Sequence, residues 1–137
     1  MNIRYENSRD LPNVPLYRLF LAVGWADEAH MTDSRLENFG LPFQNSTFVH
    51  SAWHDDQLIG CVRVLSDRIF RSVIYDLAVL PEYQGQGIGR ELVKRCLADC
   101  PDSEWLLATI PARVGFYEKL GFRSYDEPVM QIPCKWF

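Results

Sequence analysis

Three glycines at alternate positions, Gly85, Gly87 and Gly89, lie between an apolar run and an amphipathic segment. Glycine has no side chain and reaches backbone conformations closed to other residues, so such a turn leaves its N–H groups open to a ligand. The first N–H groups of a helix have no acceptor within the helix, and the helix dipole makes that end electropositive. The spacing therefore predicts a site for an anionic ligand that carries phosphate.

Two common phosphate-binding patterns do not fit this turn. A P-loop requires Lys followed by Ser or Thr after its last glycine, whereas Arg90 and Glu91 follow Gly89. A dinucleotide-binding turn requires a third glycine where Arg90 stands and an acidic residue about 20 positions later, where the chain has Trp105-Leu106-Leu107-Ala108. A turn that only requires positive φ angles explains one or two of the glycines but not all three.

A third pattern covers the glycine turn and a later segment. Gln84–Gly89 matches the signature Q/R-x-x-G-x-G/A of the GCN5-related N-acetyltransferase (GNAT) superfamily, and Gly115–Phe122 resembles that superfamily's F-Y-E-K-L-G-F segment. One predicted helix and one predicted strand separate them, as in the superfamily, and the resemblance covers about residues 47–125. It implies an α+β fold in three layers, with a mixed, mostly antiparallel sheet of about six or seven strands. It also implies transfer of acetyl from acetyl-CoA, a co-substrate, to a primary amine, with no metal.

The resemblance assigns roles to particular residues. Tyr117 is expected to protonate the departing thiolate, since a phenol of pKa ~10 stays protonated at neutral pH and can donate to a thiolate of pKa ~8.5. A bulge near the end of the central strand is expected to turn the N–H of Val79 toward the thioester carbonyl. The residues expected to bind the coenzyme are Leu77, Ala78, Val79, Gln84, Gly85, Gln86, Gly87, Ile88, Gly89, Arg90 and Tyr117.

The general base that takes a proton from the amine is open among three residues. Asp76 lies on the central strand beside the coenzyme segment, His50 lies on the preceding hairpin, and His30 lies in the first third of the chain. We assign the role to Asp76, together with Tyr117 as the acid. The acceptor is expected between residues 25–45 and the C-terminal end. Either an acceptor pocket or ordinary surface and core packing explains the acidic and apolar residues there, Asp27, Glu28, Asp33, Glu37, Trp53, Tyr125, Met130, Trp136 and Phe137.

One departure from the superfamily concerns the segment before Tyr117. An Asn and an Ala often stand seven and four residues earlier, where this chain has Ile110 and Arg113. The Asn contact to the coenzyme is therefore absent, and Arg113 either reaches a phosphate or is solvated. Cys61 and Cys134 have no evident neighbouring base, which favours direct attack of the amine over an acyl-cysteine route. A non-catalytic acyl-CoA binding or sensing domain of the same fold is the alternative.

The elements that position these residues follow from apolar periodicity and from turn residues. Strands are predicted over 2–6, 47–54, 57–66, 72–80, 104–109, 122–125 and 129–136, and helices over 13–24, 34–39, 88–100 and 113–120. A hairpin-rich first half followed by two β-α units is typical of an α+β protein. Gly24 and Gly121 are predicted to end their helices.

Length and composition limit the number of domains and the kinds of partner and location that the protein can have. The 137 residues predict one N-acetyltransferase domain over 1–137. A net charge of −4 argues against nucleic acid as a partner, and no apolar window reaches the ~18 residues of a membrane span. The four cysteines contain no C-x-x-C pair and no His cluster lies near them, so a zinc site is not expected. The N-terminus lacks a charged-then-apolar signal pattern, and a reduced cytoplasmic location is therefore predicted. The apolar end Trp136-Phe137 indicates an intramolecular contact or a homodimer.

Overall fold

The computed structural model describes residues 2–136. Met1 and Phe137 lie outside the described residues, so the predicted contact of Phe137 and the ends of the predicted domain stay predictions. The strands are β1 (Ile3–Glu6), β2 (Phe48–His54), β3 (Gln57–Ser66), β4 (Arg71–Val79) and β5 (Glu104–Leu106). The helices are α1 (Asn13–Ala22), α2 (Asp33–Glu37), α3 (Leu41–Gln44), α4 (Ile88–Asp99) and α5 (Val114–Glu118). Single 3₁₀ turns lie at Glu28–His30, Pro81–Tyr83 and Pro111–Arg113.

The five strands form one mixed sheet in the order β1-β2-β3-β4-β5. The first four are antiparallel neighbours, and β5 is parallel to β4. Only residues 71–73 of β4 pair with β5, so the two strands separate beyond the pair Val73 and Leu106. The later half of β4 therefore has a strand neighbour on one edge and an open gap on the other.

Helices α1 and α4 cover the sheet because each presents an apolar stripe. In α4 the buried residues are Ile88, Leu92, Val93 and Cys96, the spacing of one helix face. Helix α4 packs against β2, β3 and β4, and α1 packs against β3 and β4. Gly60 of β3 permits the close approach of α4, since a Cβ there would lie 3.2 Å from Leu92 Cδ1 and 3.2 Å from the Ala78 carbonyl oxygen.

The predicted α+β class and the mixed, mostly antiparallel sheet are confirmed. The predicted closing strands are wrong, because residues 122–125 and 129–136 lie in no strand and the sheet described has five strands rather than six or seven. Pro128 and Pro133 lack the N–H that a central strand must donate. The strand predicted over 104–109 ends at Leu106, because β5 pairs with β4 only as far as the pair Val73 and Leu106 and the two strands then diverge.

No helix within residues 2–136 combines the length and the apolar character needed to cross a bilayer.

Candidate active site

A cleft of about 860 Å³ opens in the gap between β4 and β5. Residues 74–79 of β4 form one wall, and the turn from Pro81 to Arg90 forms the end beside α4. The opposite wall consists of residues 107–110 with Arg113, Phe116 and Tyr117, while Ala22, Val23 and Trp25 close the cleft at the end of α1. The segments that the sequence singled out for chemistry therefore meet in one place.

A β-bulge interrupts β4 inside this cleft. Cys61 pairs with Ala78 and Arg63 pairs with Tyr75, so the single residue between them on β3 faces two residues of β4, Asp76 and Leu77. Asp76 adopts a left-handed conformation with φ of 55°, which is rare outside glycine and costs about 1 kcal/mol or more. The bulge lies two to three residues before the position expected from the sequence.

Beyond the bulge, the backbone of β4 turns donors toward the gap. The N–H of Leu80 donates to the carbonyl of Ile59 on β3 at 2.8 Å. Because successive strand residues direct their polar groups to opposite edges, the N–H and carbonyl of Val79 face the edge that β5 has left. The carbonyl of Val79 accepts a 2.9 Å hydrogen bond from the side-chain amide of Gln84. The N–H of Val79 is thereby held on the cleft side.

The three glycines of the turn differ in what they require. Gly85 and Gly87 have φ angles of 77° and 85°, so their backbone conformation itself favours glycine. Gly89 has no such requirement: a Cβ there would lie 3.6 Å from Phe116 Cζ, an ordinary contact. Conformation thus explains two of the three glycines, and the third lies in the first turn of α4 at the cleft wall.

The N-terminus of α4 provides the anion-binding geometry that the sequence predicts. Gly87 is the N-cap, and it has no side chain with which to cap the helix. The N–H of Glu91 donates to the carbonyl of Gly87 at 3.0 Å, so the donors of Ile88, Gly89 and Arg90 precede the first helical bond. All the predicted coenzyme residues line the cleft except Gln86, whose amide turns back to the carbonyl of Glu82 at 3.4 Å.

Tyr117 faces the cleft from α5. Its ring is half-buried and packs edge-on against Phe116 and Phe122, with centroid separations of 4.9 and 5.7 Å. Burial raises the pKa of the Tyr117 phenol, and the nearby charge of Arg113 offsets part of that rise. The phenol is therefore protonated across the neutral range and able to donate a proton. Arg113 and Ile110 both line the same wall.

Asp76 lies in the cleft wall and forms an ion pair with Arg63, 2.6 Å from Nε to Oδ2. The carboxylate is partly open, with 31% of the side chain exposed. The same guanidinium lies 5.4 Å from the ring centroid of Tyr75. Neighbouring residues of a regular strand point to opposite faces. The bulge is what brings Tyr75 and Asp76 to one arginine.

The two histidines considered as bases lie outside the cleft wall. His50 is buried near the far end of α4, with Nε2 2.6 Å from Asp99 Oδ2. His30 is exposed on the 3₁₀ turn, with Nδ1 2.7 Å from Asp27 Oδ1. Of the three candidates for the general base, only Asp76 reaches the cleft.

Cys61 and Cys96 offer no activated thiol. Cys61 and Cys96 are fully buried; burial raises the pKa of Cys96 to about 12 and that of Cys61 still further above its ordinary value. Protonated thiols are poor nucleophiles, which argues against an acyl-cysteine route. Within residues 2–136 no group of three or more His, Cys, Asp or Glu side chains is arranged to hold a metal ion.

The acceptor side differs most from the sequence-based expectation. The predicted residues Asp27, Glu28, Asp33, Glu37, Trp53, Tyr125, Met130 and Trp136 do not line the cleft. Trp136 instead packs beside Arg35, whose guanidinium lies 5.5 Å from its ring centroid. Trp25, the first residue of the predicted acceptor segment 25–45, does line the cleft, whereas Tyr75 and Tyr83 are aromatic residues of the wall to which the sequence assigned no role. No local signal marks Tyr75, because its place in the wall depends on the bulge.

Comparison with known proteins identifies the chain. The family model described as "Acetyltransferase (GNAT) domain" matches residues 45–124. An uncharacterized ycf52-like N-acetyltransferase of Prochlorococcus marinus is 29% identical over 125 residues, 86% of this chain and 66% of that protein. The chloroplastic GCN5-related N-acetyltransferase 2 of Arabidopsis thaliana is 38% identical over 78 residues, 55% of this chain and 30% of that protein.

Among solved structures, a GNAT-family acetyltransferase from Streptococcus pneumoniae superposes with a TM-score of 0.80 and 28% identity, over 98% of this chain and 99% of that one. The chain thus spans less than two thirds of the first two relatives above but nearly the whole of this bacterial structure. The fold expected from the two motifs is confirmed. The chain belongs to the GNAT acetyltransferase family, whose members use acetyl-CoA.

Proposed function

We propose that this chain is an N-acetyltransferase that moves the acetyl group of acetyl-CoA to a primary amine by direct attack on the thioester. The observation that carries the proposal is the cleft itself. It joins an uncapped helix N-terminus, a strand edge with free backbone donors, and a half-buried phenol. We also propose that residues 1–137 form one catalytic domain.

The donor is held by backbone groups rather than by charge alone. We assign the pyrophosphate to the N–H groups at the start of α4, with Arg90 beside them, since donors to a charged acceptor contribute on the order of 1.5–3 kcal/mol each. The pantetheine arm is assigned to the open edge of Leu77, Ala78 and Val79. Gln84 fixes the carbonyl of Val79, so the N–H of that residue is oriented before the ligand arrives.

The reaction needs one donor for the oxyanion, one acid and one base. The N–H of Val79 is assigned to the developing charge on the thioester oxygen. Asp76 takes a proton from the amine, directly or through water, and Arg63 holds its carboxylate in place. As the new C–N bond forms and the C–S bond breaks, Tyr117 gives its proton to the leaving sulfur. Exchange with solvent then returns one proton to Tyr117 and removes one from Asp76.

Two measurements test the proposal. Calorimetric titration with coenzyme A, ATP and NAD should give binding to coenzyme A alone, because the turn lacks the residues of either nucleotide pattern. Release of free thiol from acetyl-CoA, followed with a panel of amines and with no amine, should depend on the amine. Coenzyme A binding without amine-dependent thiol release would indicate a sensing domain instead and would refute the enzymatic function.

A further inference from the structure

A hydrogen bond ties the glycine turn, residues 81–87, to the last residue of β2. Tyr83 ends the 3₁₀ turn Pro81–Tyr83 and lines the cleft. Its hydroxyl lies 2.8 Å from Nδ1 of His54, and the two rings pack edge-on with centroids 5.7 Å apart. Within residues 2–136 no other hydrogen bond joins the glycine turn to a distant strand, since the rest stay in the turn or reach the adjoining residues 79, 80 and 91.

Tyr83 is the residue through which this turn is anchored in the protein. It is partly buried and packs against the core, whereas residues 81–82 and 84–87 are exposed. A Cβ added at Gly85 or at Gly87 would meet no described atom within 4 Å, so no neighbouring segment packs on the turn there. Segments with few buried contacts open at a low free energy, and the position of the turn therefore depends on its two ends and on Tyr83.

His54 is a rigid point of attachment for Tyr83. It lies where β2 pairs with β1 on one side and with β3 on the other. In the hairpin that follows, the carbonyl of Asp55 accepts a 3.1 Å hydrogen bond from Nη1 of Arg4 on β1. Because paired strands open at a higher free energy than exposed turns, the imidazole holds the Tyr83 hydroxyl at a constant place.

The residues that follow Tyr83 belong to the proposed donor site. Gln84 donates from its amide to the carbonyl of Val79 at 2.9 Å, and Gly87 is the N-cap of α4. A displacement of Tyr83 would therefore move the backbone donors assigned to the pyrophosphate. Donors that are held in place before the ligand arrives bind it at a lower cost in conformational entropy.

We propose that His54 is a positioning residue for the donor: by accepting a hydrogen bond from Tyr83, it holds the glycine turn in the conformation that binds the coenzyme pyrophosphate. The proposal rests on the proposed function, in which the coenzyme binds at this turn. His54 lies outside the cleft wall, so it acts through Tyr83 and not on the substrate.

The proposed role specifies the tautomer of His54. The imidazole carries its hydrogen on Nε2, so that Nδ1 accepts from the phenol. Nε2 lies 3.9 Å from Oδ2 of the exposed Asp55 carboxylate, which is a favourable neighbour for that hydrogen.

Calorimetric titration with coenzyme A measures the effect of removing this bond. Tyr83→Phe keeps the ring and removes the hydroxyl, whereas His54→Ala removes the acceptor. Each should raise Kd for coenzyme A about fivefold, the effect of losing one neutral hydrogen bond. The double variant should lose no more affinity than either single one, because both changes remove the same bond. His54→Asn places an amide oxygen near the position of Nδ1 and should return Kd to within about twofold of wild type.

Kinetics and hydrogen exchange distinguish positioning from a general loss of stability. With any amine that supports thiol release, KM for acetyl-CoA should rise about fivefold in Tyr83→Phe while kcat stays within about twofold, because Asp76, Tyr117 and the N–H of Val79 are unchanged. Hydrogen exchange over residues 81–87 should be faster in this variant than in wild type, and bound coenzyme A should reduce the difference. Tyr125→Phe and His30→Ala remove the same groups outside the cleft wall and should leave Kd unchanged.

The outcomes that would overturn the role of His54 differ from those that would overturn the function. Wild-type Kd in either Tyr83→Phe or His54→Ala, additive losses in the double variant, or no recovery in a folded His54→Asn overturns the role of His54 while the acetyltransferase function stands. Absence of coenzyme A binding to the wild-type protein overturns both. Absence of thiol release with every amine overturns the enzymatic function alone, and the calorimetric comparison still decides the role of His54.

Discussion

Asp76 combines a left-handed backbone with an ion pair inside the cleft. Aspartate and asparagine tolerate that conformation better than other residues with a Cβ, because their short polar side chains bond locally. Backbone strain of this kind often accompanies function. At the scale of single residues, the roles proposed for Asp76 as base and Tyr117 as acid can be separated by substitution.

For the base, Asp76→Asn retains the shape and the tolerance for φ of 55° while removing the carboxylate. We expect kcat to fall by about 10²-fold or more, with coenzyme A affinity unchanged, because proton removal contributes about 10²–10⁴-fold to such steps. Thiol-release kinetics and calorimetry measure the two quantities. Wild-type kcat in the folded variant would remove Asp76 from the mechanism.

For the acid, Tyr117→Phe retains the packing against Phe116 and Phe122 but removes the proton. Turnover should fall about 10²-fold, and coenzyme A affinity should stay within about twofold. Because the pKa of Tyr117 is raised above its usual 10, the wild-type rate should show no loss from this group until pH exceeds 10. An alkaline limb that persists in the variant would have to come from another group.

At the scale of elements, the turn between β4 and α4 follows a tight backbone path and is the proposed site of the coenzyme pyrophosphate. Gly85 and Gly87 serve the path through their positive φ angles, whereas Gly89 has an ordinary conformation. A substitution at Gly87 would therefore mix strain, about 1 kcal/mol, with ligand exclusion. Gly89 separates the two.

Gly89→Glu is expected to abolish coenzyme A binding in a folded protein, since it places a negative side chain in the first turn of α4 at the cleft wall. Calorimetry measures binding, and thermal unfolding checks the fold. Gly115→Glu is the matched control: it adds the same side chain to α5, where a Cβ meets no described atom within 4 Å, outside the cleft wall. If Gly89→Glu bound with wild-type affinity, the assignment of the turn would fail.

The buried thiols of β3 and α4 predict how stability depends on pH. Folding raises the pKa of Cys61 and Cys96 above the ordinary value of 9, so the native state keeps these protons while the unfolded state releases them. Their contribution is complete below pH 9 and declines as pH rises. At pH 10 each thiol should cost about 1 kcal/mol of unfolding free energy. Urea unfolding at pH 7 and pH 10 measures the difference, which should shrink in Cys96→Ala.

At the scale of the whole molecule, residues 122–136 lie outside the sheet, and the end of this segment contacts Arg35 of α2. Nη1 of Arg35 donates to the carbonyls of Trp136 and His30, at 2.8 and 3.0 Å. The guanidinium also stacks on the ring of Trp136. The intramolecular contact predicted for the apolar C-terminus is therefore present at Trp136. A homodimer stays a prediction, and analytical ultracentrifugation measures it.

Arg35→Ala should lower the free energy of unfolding by about 1–2 kcal/mol, because it leaves two carbonyls without this donor and removes the cation–π contact. Urea unfolding provides the value. Arg71→Ala removes a longer, exposed pair with Glu104 at 3.4 Å and should have a smaller effect. Equal effects of the two substitutions would show that Arg35 does not anchor the segment.

The local features of the fold could be predicted from the order of the residues. Apolar runs between turn residues predicted β2, β3 and β4, the glycine turn marked the start of α4, and two motifs in order indicated the family. These signals are local because backbone conformation and apolar period depend on residues a few positions apart. The part of the cleft formed by the end of β4 and the glycine turn was predictable for the same reason, because consecutive backbone groups form it.

The placement of side chains in the cleft and the path of the C-terminal segment depend on contacts between distant parts of the chain. The bulge at Asp76–Leu77 depends on how β4 registers with β3, so sequence could not place Tyr75 and Asp76 together on Arg63. In the folded chain His50 pairs with Asp99 outside the cleft wall, and residues 122–136 lie outside the sheet. Each of these outcomes depends on pairing between distant segments, and the spacing of neighbouring residues does not indicate the energy of such pairing. The placement of Tyr75 and Asp76 on one arginine depends on such pairings, which is why it emerged only from the folded chain.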